Sequence, residues 1–556
     1  MEYNFNLKLN NLRELIKINH LDGFLIPSND EFQSEYVSEY FNRLKFLTGF
    51  TGSNGIALIT MKDAILFTDG RYIYQAEQEL QKIFTVQDIT NIYNNKFLNG
   101  KVGYDPKLHL NSNLKKYKNC TLVECDNLVD QIWHNKPSKK DSNFFQYPLK
   151  YSGESSESKL YKLKEHLQSK DIYALIITDP SNICWLLNIR GHDIEYNPIL
   201  LSYAIFYKDG KLDIFSNCKE HIPLKDFSIY LKKLMDNKIQ IDPNSASSWI
   251  INQLNHKIID DDPCTLAKAY KNNIEINMSK KIHIDDGIAL CKLLYWIEKN
   301  YKKEQISEIN IANKILELRS NSSNFLYPSF ATIAGFGEHG AIIHYKATEE
   351  TNKLILNDGL LLIDSGGQYF GGTTDITRTI LIGKAKNQQK LDFTLVLKGH
   401  IALAMAEFPI NTRGVDLDIL ARQFLYKYGK DYAHGTGHGV GNCLNVHEGP
   451  QRISKMGMQI LKEGMIISNE PGYYKNGEYG IRIENLILVK KLKNNYLGLE
   501  TISLAPIDQK LIIKELLTAP EKKWINHYHK TVYSKISPHL NKQEQIWLKK
   551  QTEIIV

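Results

Sequence analysis

Four carboxylates and one histidine in the second half of the chain share a property: each sits in a glycine-, strand- or turn-forming setting. Asp364 stands in LLLIDSGG, Asp375 in TTDITRT, His438 in HGTGHGVG, Glu470 in ISNEPGYY and Glu484 in IRIENL. Two divalent cations held close together need a set of this kind, anionic and imidazole donors with some of them bridging, to offset their combined charge. The chemistry it would support is two-metal hydrolysis.

These side chains converge only if their backbone elements aim them. Asp364 closes the apolar run LLLI ahead of Ser-Gly-Gly, which places it at a strand end beside a turn. In TTDITRTILI, alternation puts Asp375, Thr377 and Thr379 on one face of a strand, and the same spacing puts Arg482 and Glu484 on one face of IRIENLILV. Adjacent strands of a curved sheet then bring three carboxylates to one point. Pro471 biases Glu470 toward an extended backbone. His434 and His438 have helical spacing, but Gly435, Gly437, Gly439 and Gly441 predict a loop, or strands with close backbone approach. One histidine suffices for metal; the others, among them His447 in NVHEGP, then serve proton transfer or a developing oxyanion.

Taken singly, each aspartate has an ordinary alternative as a cap or turn residue, and each histidine beside glycine as a structural group. The ensemble carries the metal reading. Other motifs are excluded by spacing. HGTGHGVGN lacks GxGxxG and any GK[ST], His447-Glu448 is followed by GPQR and so does not complete HExxH, and Thr51 stands where TGSNG would need the first glycine of GxSxG around Ser53.

The chain around this cluster has 556 residues, more than one core usually supports, with 42% hydrophobic and 24% charged residues, the balance of a globular protein. A net charge of +7, with lysines scattered among acids, indicates a solvated surface and argues against nucleic-acid binding. Seven cysteines without a CxxC pair read as reduced thiols. The start MEYNFNLKLNNLREL lacks the basic-then-apolar order of a signal peptide, and no run reaches the roughly 18 apolar residues of a membrane span, so a cytoplasmic protein is expected.

Helical spacing over residues 9–18, the buried strand DGFLIP ending at Pro27, and the runs IALIT, AILFT and KVGYD predict an α/β domain over residues 1–145. Pro, Ser and charge between residues 134 and 159 predict a linker. A helix near residues 160–167, the strand YALIIT, the turn DPSN and the strands SYAIFY and LDIFS predict a second α/β domain over 155–272, so that the first two units read as copies of one fold. A long helix starts near Ile274, with Ile284, Ile288, Cys291, Tyr295 and Ile297 near one face. Antiparallel strands and turns bearing the five candidate ligands complete this third domain, 273–505. Residues 506–556 read as a polar, helix-prone extension with Trp524 and Trp547, packed on the domain before it.

With these residues in view, the chain resembles the Xaa-Pro aminopeptidases (aminopeptidase P), in particular the long three-domain cytosolic type among the pita-bread metallopeptidases. The likeness runs through FLTGFTGSNG and FTDGRYIYQA, then CWLLNIRGHDIEYNPILLSYA, then GAIIHY, DSGGQY, TTDITRT, HGTGHGVG, LNVHEGP, NEPGYY and GIRIEN, and reaches the tail LAPIDQKLI. It implies a fold of α/β and α+β character: two creatinase-like N-terminal α/β domains, then a pita-bread metallopeptidase domain with a C-terminal extension. It implies that Asp364 chelates one metal, that Asp375 and Glu484 bridge both, and that His438 and Glu470 complete the other. By the same matching, His344, His434 and His447 face the substrate and take part in catalysis. Glu470 passes on the proton, and Arg482 supports the ligands from behind.

The implied reaction is removal of the N-terminal residue from peptides with proline in second position, by attack of a hydroxide bridging the metals. Hydrolysis of Xaa-Pro dipeptides, as in prolidases, is one alternative, and a catalytically inactive pita-bread binding protein is another. Four oxygen donors and one nitrogen favour two Mn²⁺ per subunit, with Zn²⁺ or Co²⁺ also able to bind. A homodimer is implied as well. Tyr345 and the tyrosines of PGYY, Tyr473 and Tyr474, are candidates for an apolar shelf under the proline ring.

Overall fold

The computed structural model describes residues 4–93, 96–139 and 141–556. Two compact units form, one from Met1–Gln146 with Glu154–Thr265 and the other from Tyr147–Gly153 with Leu266–Val556.

Short runs of β-branched and aromatic residues build two six-stranded sheets in the first unit. The first sheet comprises, in chain order, Gly23–Pro27, Ile56–Thr60, Ala64–Thr68, Thr85–Asp88, Lys101–Tyr104 and Thr121–Glu124. In space the order is fourth, third, second, first, fifth, sixth. The first three strands form an antiparallel meander, and the remaining pairings are parallel. Ala174–Ile177, Ser202–Tyr207, Leu212–Ser216, Ile222–Pro223, Ile239–Ile241 and Lys257–Ile259 repeat both the order and every pairing sense. The repetition of helix, buried strand and meander in the sequence thus does reflect two copies of one fold.

Two local expectations are corrected. DPSN is not a turn: Asp179 accepts the Ser181 N–H at 2.8 Å and caps the helix Pro180–Leu186, with Pro180 in the first turn where its missing N–H is not needed. The stretch 134–159 is more than a linker. Phe144–Gln146 pairs antiparallel with Ile189–Gly191, Leu149–Ser152 is a helical turn, and Ser155 caps the helix Ser156–Ser169. Its serines and proline start helices.

In the second unit the expected long helix runs Asn273–Asn300, opened by a capping box in which Asn272 accepts from Ile274 and Glu275 and Glu275 accepts from Asn272. Cys291 and Ile297 are buried along it, with Ile284, Ile288 and Tyr295 packed against the same core. That core joins the antiparallel sheet Ile333–Phe336, Gly359–Ser365 and Ile376–Ile382 to the helices Asn387–Ala404 and Ala519–Ile536. Each fully buried Leu, Ile or Phe there contributes about 1.5–3 kcal/mol. A four-stranded sheet, Glu407–Pro409, Tyr496–Thr501, Asn485–Lys491 and Ile466–Asn469 in spatial order, lies in the same unit. The C-terminal extension packs as expected: Trp547 is buried in the core, and Trp524 stacks on Tyr528. Among the described residues no cysteine forms a disulfide and no helix is long and apolar enough to cross a membrane.

Candidate metal centre

Asp375 and Glu484 converge, with Asp364 as an electrostatic neighbour, because three strand ends approach one another. Asp364 is the penultimate residue of Gly359–Ser365 and lies in register opposite Thr377. Asp375 immediately precedes Ile376–Ile382. Glu484 occupies a break: IRIENLILV is not one strand, since Tyr479–Arg482 ends and Asn485–Lys491 begins on either side of it. The Glu484 N–H donates to the Thr377 carbonyl at 3.2 Å instead of to a ladder partner of its own strand. The predicted common face survives the break through Thr377, whose hydroxyl donates to Glu484 Oε2 at 2.7 Å and accepts from Arg482 Nε at 3.2 Å.

His438 and Glu470 arrive from the other side. Gly437–His438 pairs with Arg452–Ile453, and a Cβ on Gly437 would meet the Ser468 carbonyl at 1.9 Å, which is the close backbone approach that the glycine pattern predicts. His438 Nδ1 donates to the Gly439 carbonyl at 3.0 Å, which turns Nε2 toward the carboxylates. That Nε2 lies 3.5 Å from Asp375 Oδ2 and 3.4 Å from Glu470 Oε1. The Glu470 N–H donates to the Thr436 carbonyl at 2.8 Å, and Ser468 Oγ links Glu470 Oε1 (3.0 Å) to the His438 N–H (2.9 Å).

The donor set fits a divalent cation on electrostatic grounds. Asp364, Asp375 and Glu484 are 7%, 4% and 1% exposed, and each keeps one buried oxygen, Oδ1, Oδ1 and Oε1, without a hydrogen-bond partner. Buried acceptors of this kind are rare unless something else satisfies them. Ligand atoms of Asp375, His438 and Glu484 lie within 4.8 Å of one another. Burial first, then the neighbouring carboxylates, push Asp375 and Glu484 well above the usual carboxylate range. Burial also raises Glu470, against the pull of His438 and Arg482. Ionising them together calls for compensating positive charge, which a divalent cation would add to that of Arg482.

Arg482 is buried against Asp364. Its Nη2 donates to Asp364 Oδ2 at 2.6 Å and to the Ile343 carbonyl at 3.3 Å, beside His344, and its Nη1 donates to the Tyr474 hydroxyl at 2.7 Å. Tyr474 is therefore not simply an apolar shelf: its hydroxyl also meets His434 Nε2 at 2.8 Å. Tyr345 is buried with its hydroxyl on Glu308 Oε2 at 2.9 Å. His447 packs edge-on against His438 with ring centroids 4.3 Å apart.

Two supports escaped the sequence reading. Buried Arg422 holds the histidine segment through the carbonyls of Tyr432 (2.8 Å) and His434 (2.7 Å) while paired with Asp418 at 2.7 Å. Lys271, before the long helix, pairs at 2.6 Å with Glu448, the neighbour of His447, both being buried. Asp418 and Arg422 do have the i,i+4 spacing of a helical ion pair, whereas Lys271 and Glu448 are 177 positions apart.

Comparison with known proteins gives matches along the whole chain. Residues 8–132 and 135–275 each match the Creatinase/Prolidase N-terminal domain, 278–491 match Metallopeptidase family M24, and 495–555 match the C-terminal region of that peptidase. The chain is 36% identical over 611 aligned residues to a probable Xaa-Pro aminopeptidase P of Paracoccidioides brasiliensis, covering 99% of each. It is 38% identical to a probable Xaa-Pro aminopeptidase P of Coprinopsis cinerea, covering 97% of each. The crystal structure of X-prolyl aminopeptidase from Caenorhabditis elegans, a cytosolic enzyme with a di-nuclear active site, superposes with a TM-score of 0.94 at 31% identity, covering 99% of this chain and 100% of that one. With all four regions matched and full-length relatives aligned from end to end, the chain belongs to metallopeptidase family M24, in its Xaa-Pro aminopeptidase P branch.

Proposed function

We propose that the protein is a two-metal Xaa-Pro aminopeptidase, releasing the N-terminal residue from peptides whose second residue is proline, with the chain divided functionally at 1–145, 155–272, 273–505 and 506–556. The observation that carries this is the trio of buried, unpartnered oxygens on Asp364, Asp375 and Glu484, with ligand atoms of Asp375, Glu484 and His438 within 4.8 Å of one another. Asp364, Asp375, His438, Glu470 and Glu484 would hold the cations; four oxygen-bearing residues and one imidazole favour Mn²⁺ over Zn²⁺ or Co²⁺. When bound, divalent cations supply Lewis acidity, which activates water and polarises the scissile carbonyl.

The chain's own residues do the rest. Glu470, anchored by Ser468 Oγ at 3.0 Å, accepts a proton from the attacking water and returns it to the leaving nitrogen. An Xaa-Pro bond is a tertiary amide, so that nitrogen carries no hydrogen until this transfer. Arg482 donates to Asp364 at 2.6 Å, which supports a role for Asp364 in pairing with the substrate's free amino group. That pairing restricts cleavage to the first residue. His447 and His434 stabilise the negative charge developing on the carbonyl oxygen, and His344 contacts the residue after the cut. Family likeness further supports a homodimer working in the cytoplasm.

Turnover of a tripeptide with proline second, compared with the Xaa-Pro dipeptide, tests the assignment. The tripeptide should be preferred, chelator should abolish turnover, Mn²⁺ should restore it, and Asp375→Ala and Glu484→Ala should bind no metal. Preference for the dipeptide would make the protein a prolidase, and a wild type inert with Mn²⁺ would make it a binding protein.

A further inference from the structure

Arg378 occupies the face of Ile376–Ile382 opposite Thr377, is 1% exposed, and spends all its donors on neutral acceptors. Its Nε donates to the Pro506 carbonyl at 3.1 Å, and its Nη1 to the carbonyls of Thr377 (2.8 Å) and Glu484 (2.6 Å). Its Nη2 donates to Asn485 Oδ1 (2.8 Å), the Ala505 carbonyl (2.9 Å) and the Tyr528 hydroxyl (2.8 Å). One guanidinium therefore ties the strand after Asp375 and the backbone of Glu484 to the start of the C-terminal extension. A rigid fork suits such a task because its donors are fixed relative to one another.

Tyr528, on the helix Ala519–Ile536, completes the knot. Its hydroxyl accepts from Arg378 Nη2 and from the Ala505 N–H at 3.2 Å, and its proton faces the carbonyls of Ser503 (3.1 Å) and Ala505 (2.9 Å) and Asn485 Oδ1 (3.2 Å). Asn485, the residue after Glu484, passes the contact on: its Nδ2 donates to His400 Nε2 at 3.1 Å. His400 Nδ1 in turn donates to the carbonyl of Asn469, the residue before Glu470, at 3.1 Å, and Asn469 Nδ2 returns a bond to the His400 carbonyl at 2.9 Å. Burial and the Arg378 charge push His400 down to about 3, so it is neutral and carries one N–H, as this chain of bonds requires. From the extension, Trp524 packs edge-on against His400 with centroids 5.8 Å apart, and Trp524 stacks on Tyr528.

We propose that the C-terminal extension is a positioning element of the metal centre: Tyr528 acts through Arg378 and Asn485 to hold Glu484, and through His400 to hold Glu470. None of these four is a candidate metal ligand or one of the histidines assigned to the substrate. Groups that orient metal ligands typically affect metal affinity by about 10- to 100-fold when removed. The inference rests on the proposed metal centre, so its test uses the full chain and separates the two.

Mn²⁺ alone is titrated calorimetrically into chelator-stripped wild type, Tyr528→Phe and Trp547→Leu, and each variant's melting temperature, kcat and KM are measured. Tyr528→Phe removes only the hydroxyl and keeps the ring on Trp524. It should weaken Mn²⁺ binding by about tenfold and lower kcat at saturating Mn²⁺, with KM within about twofold. Trp547→Leu loosens the extension where Trp547 meets Tyr295, leaves the hydroxyl bonds of Tyr528 in place, and should lower the melting temperature without moving Mn²⁺ affinity. Wild-type Mn²⁺ affinity and kcat in Tyr528→Phe would overturn the inference, as would losses of affinity in both variants that simply track their melting temperatures. A wild type that takes up no Mn²⁺ would overturn the proposed centre itself, and this inference with it.

Discussion

Thr377 shows how much a single hydroxyl can carry. It donates to Glu484 Oε2 and accepts from Arg482 Nε, so it links a candidate ligand to the arginine that steadies another. Thr377→Val keeps the volume and the β-branching that suit a strand and removes both bonds. Mn²⁺ affinity should fall about tenfold, read by calorimetric titration, while far-UV circular dichroism stays as in wild type. Unchanged affinity would show that the Glu484 backbone bond to Thr377 suffices. At this scale the sequence is readable where strand ends and turn residues govern a side chain: Asp375 and Glu484 come together with His438. It was unreadable where the partner is remote in the chain. Tyr474 looked like shelf material for proline, yet its hydroxyl lies between His434 and Arg482. Lys271 meets Glu448 across 177 positions, and no local pattern encodes that meeting.

Among the elements, the glycine-spaced segment around His438 is the most constrained. The glycines argued against a helix, and the structure gives the reason: Gly437 passes so close to Ser468, and Gly439 so close to the Glu448 carbonyl, that a Cβ at either would overlap backbone oxygen, at 1.9 and 2.1 Å. Gly437→Ala should therefore push apart the pairing of Gly437–His438 with Arg452–Ile453 or displace Ile466–Asn469, moving His438 and Glu470 together. Overpacking of this kind costs about 1–3 kcal/mol. Urea unfolding should register that loss, and metal analysis after dialysis against Mn²⁺ should show reduced uptake. A variant with wild-type stability and full uptake would mean that the strands yield without disturbing the ligands. The strand break at Ile483 and Glu484 was the feature alternation could not foresee, because an apolar run with period two gives no sign of a residue leaving the ladder to bond another strand. DPSN is ambiguous for a related reason: Asp and Pro open turns and helices alike, and the choice depends on the residues downstream of them.

For the molecule as a whole, the metal centre couples stability to pH with a definite sign. The doubled N-terminal fold was visible in the sequence because each copy repeats the same meander, but this coupling depends on burial and needed the structure. Asp375, Glu470 and Glu484 are raised above ordinary values of 3.8, 4.5 and 4.5, chiefly by burial. Without metal, the folded chain then binds more protons than the unfolded chain. Stability from this source is fully present below the ordinary values and is lost as pH rises through the raised ones. Metal binding requires the ionised carboxylates, so uptake expels those protons and tightens as pH rises over the same window. The difference in melting temperature between Mn²⁺-loaded and chelator-treated protein should therefore widen upward from pH 4.5, the ordinary glutamate value. Scanning calorimetry at fixed free Mn²⁺ measures the gap, and titrations in two buffers of different ionisation enthalpy should show proton release on binding. A gap that stays constant across the window, with no proton release, would mean that the carboxylates are already ionised in the metal-free fold and that burial does not govern them.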